Sequence, residues 1–158
     1  MATDRSHYHF VTEWTFDAPI DAVWDELSHP ERWPKWWPGV TKVELIEPGD
    51  ASGLGAYRRF TFRSALPYKL RFKMRTTKLN RPQEMEGVAD GELAGVGRWT
   101  LMSRGAQTHV TYDWNIEATK AWMRWLAPIA RPLFEWNHNV VMDWGREGLR
   151  QRLVQRAR

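Results

Sequence analysis

Apolar and polar residues alternate along most of the chain between His7 and Glu117, which is the pattern of half-buried β-strands. In the first segment, His7–Phe16, every second residue from Tyr8 onward is large or aromatic, with Thr12 as the exception. Six more strands are predicted at Val40–Glu47, Ala56–Ser64, Tyr68–Lys78, Glu84–Asp90, Glu92–Met102 and Thr108–Glu117. Short turns such as Asp90-Gly91 separate them, so the pattern predicts an antiparallel meander.

Two short helices are predicted between the first two strands. Pro19 stands at the first position of one, where a missing N–H is tolerated, and Ile20, Val23 and Leu27 follow with helical spacing. Ser28 and Glu31 have the spacing of a capping box, which predicts a second short helix.

The C-terminal stretch predicts a long amphipathic helix over residues 128–156. A helical wheel gives it one buried stripe, formed by Leu133, Asn137, Val140, Val141, Trp144 and Gly148. Residues 118–125 are predicted to form a separate helical turn, because Pro128 and Pro132 each remove a backbone hydrogen bond. A long helix of this kind needs an apolar surface to lie on, and the predicted sheet provides one.

Composition narrows the functional classes for a chain of 158 residues, which is expected to form a single domain over residues 1–158. The absence of cysteine excludes disulfides, thiol catalysis and Cys-ligated metals. No metal site or cofactor is expected, since the histidines lack ligand spacing beyond His7 and His9 and no Gly-rich phosphate loop precedes a helix.

Charge and hydropathy limit the expected cellular location and the expected classes of binding partner. A net charge of +4 is too small to favour a nucleic-acid partner. No run approaches the roughly 20 apolar residues of a membrane span, and the N-terminus lacks the apolar core of a signal peptide. The sequence therefore predicts a cytoplasmic location, and it leaves open whether the chain is a monomer or a homodimer.

Several segments, taken in order, resemble one known superfamily. They are Ala18–Trp24, Trp33–Val40, Gly95–Thr100 and Thr108–Tyr112, followed by the amphipathic helix. This order resembles the START/SRPBCC superfamily, which includes the birch-pollen allergens, and is most similar to its bacterial polyketide cyclase/dehydrase-like branch. The resemblance implies an α+β helix-grip fold, in which a seven-stranded antiparallel sheet wraps around a long C-terminal helix. It also implies a cavity for a lipid, a polyketide or another apolar molecule.

Twelve residues are candidates for contacting such a ligand, because they share the predicted inner faces of the strands and the helix. They are Trp14, Arg58, Phe60, Phe62, Phe72, Met74, Trp99, Tyr112, Trp114, Asn137, Val141 and Trp144. For most of the aromatic members the favoured interpretation is that they simply fill a solid core, and the cavity is the alternative.

The polar candidates leave further alternatives open. Asn137, in the buried stripe, needs a partner from a strand, a water or a ligand. For Arg58 a solvated position at the rim of the sheet is favoured over a place in the cavity, where a ligand carboxylate or enolate would pair with it. The faces of Glu86 and Arg98 are undetermined, and His138 is expected to be partly exposed at the edge of the stripe.

A row of basic residues on the other face of two strands is predicted to be solvated, and the alternative is a surface that binds an anionic membrane or a nucleic acid. The row consists of Arg59, Arg63, Lys69, Arg71, Lys73 and Arg75.

Two functions fit these patterns. The favoured one is binding of an apolar small molecule, and the alternative is an aromatase/cyclase that folds a polyketide chain in the same cavity. Cyclisation needs a base and an enolate-stabilising group. The only plausible suppliers are Tyr57, Tyr68, Tyr112, Arg58 and Asn137, and no catalytic residue is assigned. A third class, an interaction module, would combine a filled core with an exposed apolar patch near Trp122 and Trp125.

Overall fold

The computed structural model describes residues 7–158. The prediction that the chain carries no signal peptide concerns its N-terminus and in part lies outside that range. The strands are β1 (His7–Phe16), β2 (Val40–Glu47), β3 (Tyr57–Arg63), β4 (Lys69–Asn80), β5 (Glu84–Gly91), β6 (Leu93–Arg104) and β7 (Gln107–Ala118). The helices are α1 (Ile20–Leu27), a 3-10 helix (Pro30–Lys35) and α2 (Ala121–Arg156).

All seven strands belong to one antiparallel sheet in the order β1-β7-β6-β5-β4-β3-β2. Strands β2 to β7 form the predicted meander, and β1 closes it by pairing with β7. Register shifts in β2 and β4 mark bulges, which increase the local twist of the strand and bend the sheet. The predicted helix-grip fold is confirmed, and the predicted strand bounds agree with the structure within two residues.

The predicted capping box before the second short helix is wrong. This helix is a 3-10 turn that begins at Pro30, and no side chain caps its N-terminus. The Ser28 hydroxyl lies instead 3.3 Å from Nδ1 of His29, and the Glu31 carboxylate accepts a hydrogen bond from Arg58. Both side chains of the expected box therefore have other partners.

The predicted break before Pro128 is also wrong, because α2 is one helix of 36 residues that contains both prolines. Pro128 and Pro132 are exposed, so the carbonyls that lose their donors, those of Arg124 and Pro128, are on the side of the helix that water can reach. The cost of the missing hydrogen bonds is reduced by this hydration.

Helix α2 is rotated from its predicted orientation. Leu133 is exposed and Trp144 is only partly buried, whereas Met142, Gly145, Leu149 and Leu153 face the core. The predicted wheel is misplaced because the first half of α2 is apolar on two sides, and Leu133 belongs to the outer side rather than to the inner stripe.

Two tryptophans and two glycines fix this rotation. A Cβ at Gly145 would lie 2.5 Å from Cε2 of Trp37, and one at Gly148 would overlap the carbonyl oxygen of Trp36. The indole N–H of Trp37 donates to the carbonyl of Val141 at 2.9 Å. Any larger side chain at either glycine would push the helix off this contact.

None of the described helices combines the length and the apolar composition needed to cross a membrane.

Replacing Gly148 by alanine tests the contact between α2 and the tryptophan segment. Alanine favours a helix by about 1 kcal/mol relative to glycine, so an unconstrained site would gain stability. We expect a loss of about 1–3 kcal/mol in the free energy of unfolding, measured by urea titration, because the new methyl group overlaps the backbone of Trp36. Asp143→Ala, on the exposed face of the same helix, should change stability by less than about 0.5 kcal/mol. A stabilised Gly148→Ala variant would contradict the packing.

Candidate functional site

A cavity of about 480 Å³ lies between the inner face of the sheet and helix α2. Its wall is mainly aromatic and aliphatic, with Phe60, Phe72 and Trp114 from the strands and Val141 and Met142 from the helix. At about 30 Å³ per water, this space corresponds to roughly 16 water molecules. Pockets of this size and composition are typical of small-molecule sites.

Ten of the twelve predicted residues line this cavity. They are Arg58, Phe60, Phe62, Phe72, Met74, Trp99, Tyr112, Trp114, Asn137 and Val141. The other two lie elsewhere. Trp14 is buried in the core, with its ring centroid 5.4 Å from that of Trp99, and Trp144 packs beneath the guanidinium of Arg63. The helix rotation described above carries Trp144 away from the cavity.

Arg58 lies in the cavity wall with only 13% of its side chain exposed, so the favoured prediction of a solvated rim position is wrong. Its Nε donates to Oε1 of Glu31 at 2.6 Å, and its Nη1 to the hydroxyl of Thr76 at 3.4 Å. The 3-10 helix therefore supplies the carboxylate that a buried guanidinium requires. A ligand carboxylate is not needed to pair this charge.

Arg98 and Glu86 lie on the outer face of the sheet, which resolves the alternatives left open by the sequence. Arg98 pairs with Glu86 at 2.5 Å and with Glu84 at 3.2 Å. Its neighbours Gly97 and Trp99 point inward and line the cavity. Arg59 and Arg75, from the predicted basic row, lie on the outer face, where they pair with Glu44 and Glu47. Arg63 departs from the prediction, because its guanidinium turns towards α2, lies over the ring of Trp144 and lines the cavity.

A polar cluster, consisting of Tyr8, Tyr68, Asn137 and His138, interrupts the apolar wall. The ring of Phe134 contacts both tyrosines, with centroid distances of 6.3 Å to each. The imidazole of His138 stacks on Phe10 at a centroid distance of 3.8 Å. Strand β1, the β3–β4 loop and the first half of α2 thus bring these four side chains together.

Two atoms of the polar cluster are buried without a hydrogen-bond partner among the described residues. They are the hydroxyl oxygen of Tyr8, a residue only 4% exposed, and Nε2 of His138. An unpaired buried polar group costs about 1–3 kcal/mol. Both residues line the cavity, so a side-chain rotation that turns these atoms towards it would let a ligand form the missing hydrogen bonds.

Burial also fixes the protonation states in the cavity wall. It lowers the pKa of His138 to about 4, so this imidazole is neutral at pH 7. Burial raises the pKa of Tyr68 to about 12 and, more strongly, that of Tyr112. Both phenols therefore keep their protons and act as hydrogen-bond donors.

Asn137 is 5% exposed and ties α2 to the β3–β4 loop, because its Oδ1 accepts a hydrogen bond from the N–H of Ala65 at 2.8 Å. Its Nδ2 has no partner among the described residues, and the side chain lines the cavity. The residue therefore holds the loop and presents an amide donor to the cavity.

Sequence reasoning did not include Tyr8, Tyr68 or His138 among the ligand-binding candidates. His138 was expected at the partly exposed edge of the helix stripe, and it is partly buried, but its Nε2 is shielded from solvent and the residue lines the cavity. Tyr68 was considered only as a supplier for cyclisation, and it lies in the β3–β4 loop rather than in the predicted strand. Alternation places Tyr8 on the inner face of β1, but it cannot show that the hydroxyl lacks a partner.

Comparison with known proteins agrees with this architecture. Residues 7–153 match the family described as polyketide cyclase/dehydrase and lipid transport, and the chain belongs to this family. No curated protein sequence matches the chain.

Solved structures share the fold at low sequence identity. The protein TTHA0849 from Thermus thermophilus is 16% identical with a TM-score of 0.82, covering 96% of this chain and 100% of that one. The Zhui aromatase/cyclase from a Streptomyces species is 19% identical with a TM-score of 0.75, covering 96% of each chain. A START superfamily protein from Mycobacterium smegmatis is 12% identical with a TM-score of 0.76, covering 93% of this chain and 97% of that one.

Replacing Asn137 by leucine tests its tie to the β3–β4 loop. The change removes the acceptor of the Ala65 N–H, so we expect a loss of about 1 kcal/mol and a melting temperature lower by about 2–4 °C. Asn139→Leu, at the exposed neighbouring amide, is the matched control and should leave the melting temperature unchanged. An Asn137→Leu protein as stable as the wild type would show that the tie to the loop contributes nothing.

Proposed function

We propose that this protein binds one apolar small molecule that carries a neutral hydroxyl group. The observation that carries the proposal is the cavity of about 480 Å³ whose apolar wall contains the unpaired polar atoms of Tyr8 and His138. The family description, which includes lipid transport, supports binding of a hydrophobic ligand.

The aromatic wall favours a ligand with a flat or ring-containing apolar body. Phe60, Phe62 and Phe72 stack with interplanar angles of 15–30°, and Phe72 contacts Trp114 at a centroid distance of 5.9 Å. Removing apolar surface from water contributes about 25 cal/mol per Å². The body of the ligand therefore supplies most of the affinity, and the polar cluster sets its orientation.

The charges of the wall favour a neutral ligand over an anion. The positive charge of Arg58 is matched by Glu31, and Arg63 and Arg81, which also line the cavity, are exposed to solvent. The described part of the wall therefore offers no uncompensated buried cation to an incoming carboxylate. The neutral imidazole of His138 offers one donor and one acceptor, depending on its tautomer. A ligand hydroxyl can accept from the donor or donate to the acceptor of this imidazole. The phenol of Tyr8 can likewise donate to a ligand hydroxyl or accept from it.

The aromatase/cyclase alternative is less well supported by the cavity. A general base works best with a pKa near the operating pH. The pKa of His138, about 4, makes it a weak base, and the raised pKa values of Tyr68 and Tyr112 keep both phenols protonated. The positive charge of Arg58 is already matched by Glu31, which weakens any stabilisation that it could give an enolate. Ligand binding is therefore the function proposed here, and catalysis is the less well supported alternative.

Three compounds of matched shape test the proposal that the ligand is apolar and carries a neutral hydroxyl group. They are 9-anthracenemethanol, 9-methylanthracene and 9-anthracenecarboxylate. Titration followed by quenching of tryptophan emission should saturate for the alcohol. The methyl and carboxylate compounds should bind about tenfold more weakly, which corresponds to one hydrogen bond of about 1.4 kcal/mol.

The affinity for the alcohol should be constant from pH 5.5 to 8, because His138 does not titrate in this range.

Variants separate the parts of the proposal. His138→Phe should weaken binding of the alcohol about tenfold and leave the affinity for the methyl compound unchanged. His109→Phe, on the outer face, should change neither affinity. Equal binding of all three compounds, insensitive to His138→Phe, would leave a binding cavity but exclude the hydroxyl site. Failure of every compound in a broader apolar panel to saturate would contradict the function itself.

A further inference from the structure

The first half of helix α2 carries an apolar face on its solvent side. This outer apolar face consists of Trp122, Trp125, Ile129, Leu133 and Trp136. Trp125 and Ile129 are 81% and 84% exposed. Single exposed apolar residues are common, but a contiguous row with three tryptophans marks an interaction surface.

The spacing of these residues is helical and their face is distinct from the one at the cavity. Steps of three or four residues place them on one side of the helix, over a length of about 21 Å at 1.5 Å per residue. Met123, Phe134 and Asn137, from the same stretch, line the cavity on the other side. Trp122 also contacts Tyr68 at a centroid distance of 5.8 Å, so the outer face adjoins the polar cluster.

Cations flank this face. Residues 119–140 contain three of them, Lys120, Arg124 and Arg131, against one carboxylate, Glu135. Glu135 lies 3.3 Å from Arg131, and Lys120 pairs with Glu92 from the sheet. Arg124 has no carboxylate partner among the described residues. The stretch is therefore net positive by two, and Arg124 is available to an external anion.

We propose that the outer apolar face docks on an anionic lipid bilayer, with the helix lying in the plane of the interface. Tryptophan is enriched at membrane–water interfaces, where its ring is buried and its N–H stays near polar groups. Flanking Arg and Lys side chains reach lipid phosphates while their stems cover apolar surface. Both features are present on this segment.

The same charges disfavour a second copy of the chain as the occupant. Pairing two outer apolar faces would bring two net-positive flanks together, and the one carboxylate of each segment already pairs with Arg131. A bilayer containing anionic lipid would instead neutralise the flanks. The proposal does not depend on what the cavity holds.

Vesicle co-sedimentation tests this docking. The full chain should sediment with phosphatidylcholine vesicles that contain about 30% phosphatidylglycerol, at least tenfold more than with pure phosphatidylcholine vesicles. Replacing Trp125 and Ile129 together by serine should reduce the partition at least tenfold, and Arg124→Glu severalfold. Raising salt to about 0.5 M should weaken the binding, because the Debye length shortens.

The control is Val11→Ser, which removes an exposed apolar side chain from the outer face of β1 and should leave the partition unchanged. Melting curves check that each variant is folded. Sedimentation of the double variant at the wild-type level, or no wild-type sedimentation with anionic vesicles, would overturn the proposal. It would also be overturned by a wild-type dimer in light scattering that the double variant loses, since a second copy would then be the occupant.

Discussion

The architecture depends on the close contact between helix α2 and the Trp36-Trp37 segment. Gly145 and Gly148 remove the side chains that would separate them, and the indole N–H of Trp37 bonds the helix backbone at Val141. This contact fixes both the rotation and the height of the helix over the sheet. It lies in the second half of α2, where Leu149 and Leu153 are also buried. The first half of the helix contacts β1 through side chains, with His138 on Phe10 and Phe134 on Tyr8, and it borders the cavity.

Helix α2 thus has two functional halves. The second half grips the core, while the first half forms part of the cavity wall through Met123, Asn137 and His138. The outer side of the first half is apolar, so this short segment separates a hydrophobic interior from a hydrophobic exterior surface. A movement of the first half would change both surfaces at once, while the glycine contact would hold the rest of the helix in place.

The sheet could be predicted almost completely from the sequence, because side-chain alternation is a direct consequence of strand geometry. Phe60, Phe72 and Trp114 were assigned to the inner face for this reason and line the cavity. Helix α2 was harder, because its first half is apolar on two sides and periodicity cannot say which side faces the sheet. The error placed Trp144 in the predicted site, although it does not line the cavity, and left out His138.

The partner of Arg58 could not be predicted either. Alternation placed its side chain on the inner face, but Glu31 comes from a 3-10 helix that is distant in sequence. The solvated position was favoured as the simpler outcome, because an arginine at the rim needs no protein partner. Polar pairings of this kind depend on tertiary contacts, whereas the hydrophobic pattern is local, and this difference explains why the cavity was predictable and its polar cluster was not.

The central claim is that the cavity holds an apolar molecule whose hydroxyl pairs with the polar cluster. A crystal structure of the protein with 9-anthracenemethanol tests this most directly. The account predicts the ring system between the Phe60–Phe72 wall and Met142, with the hydroxyl oxygen within about 3.2 Å of His138 Nε2 or the Tyr8 hydroxyl. Density for the compound only on the outer surface, or a cavity closed by its own side chains, would contradict it.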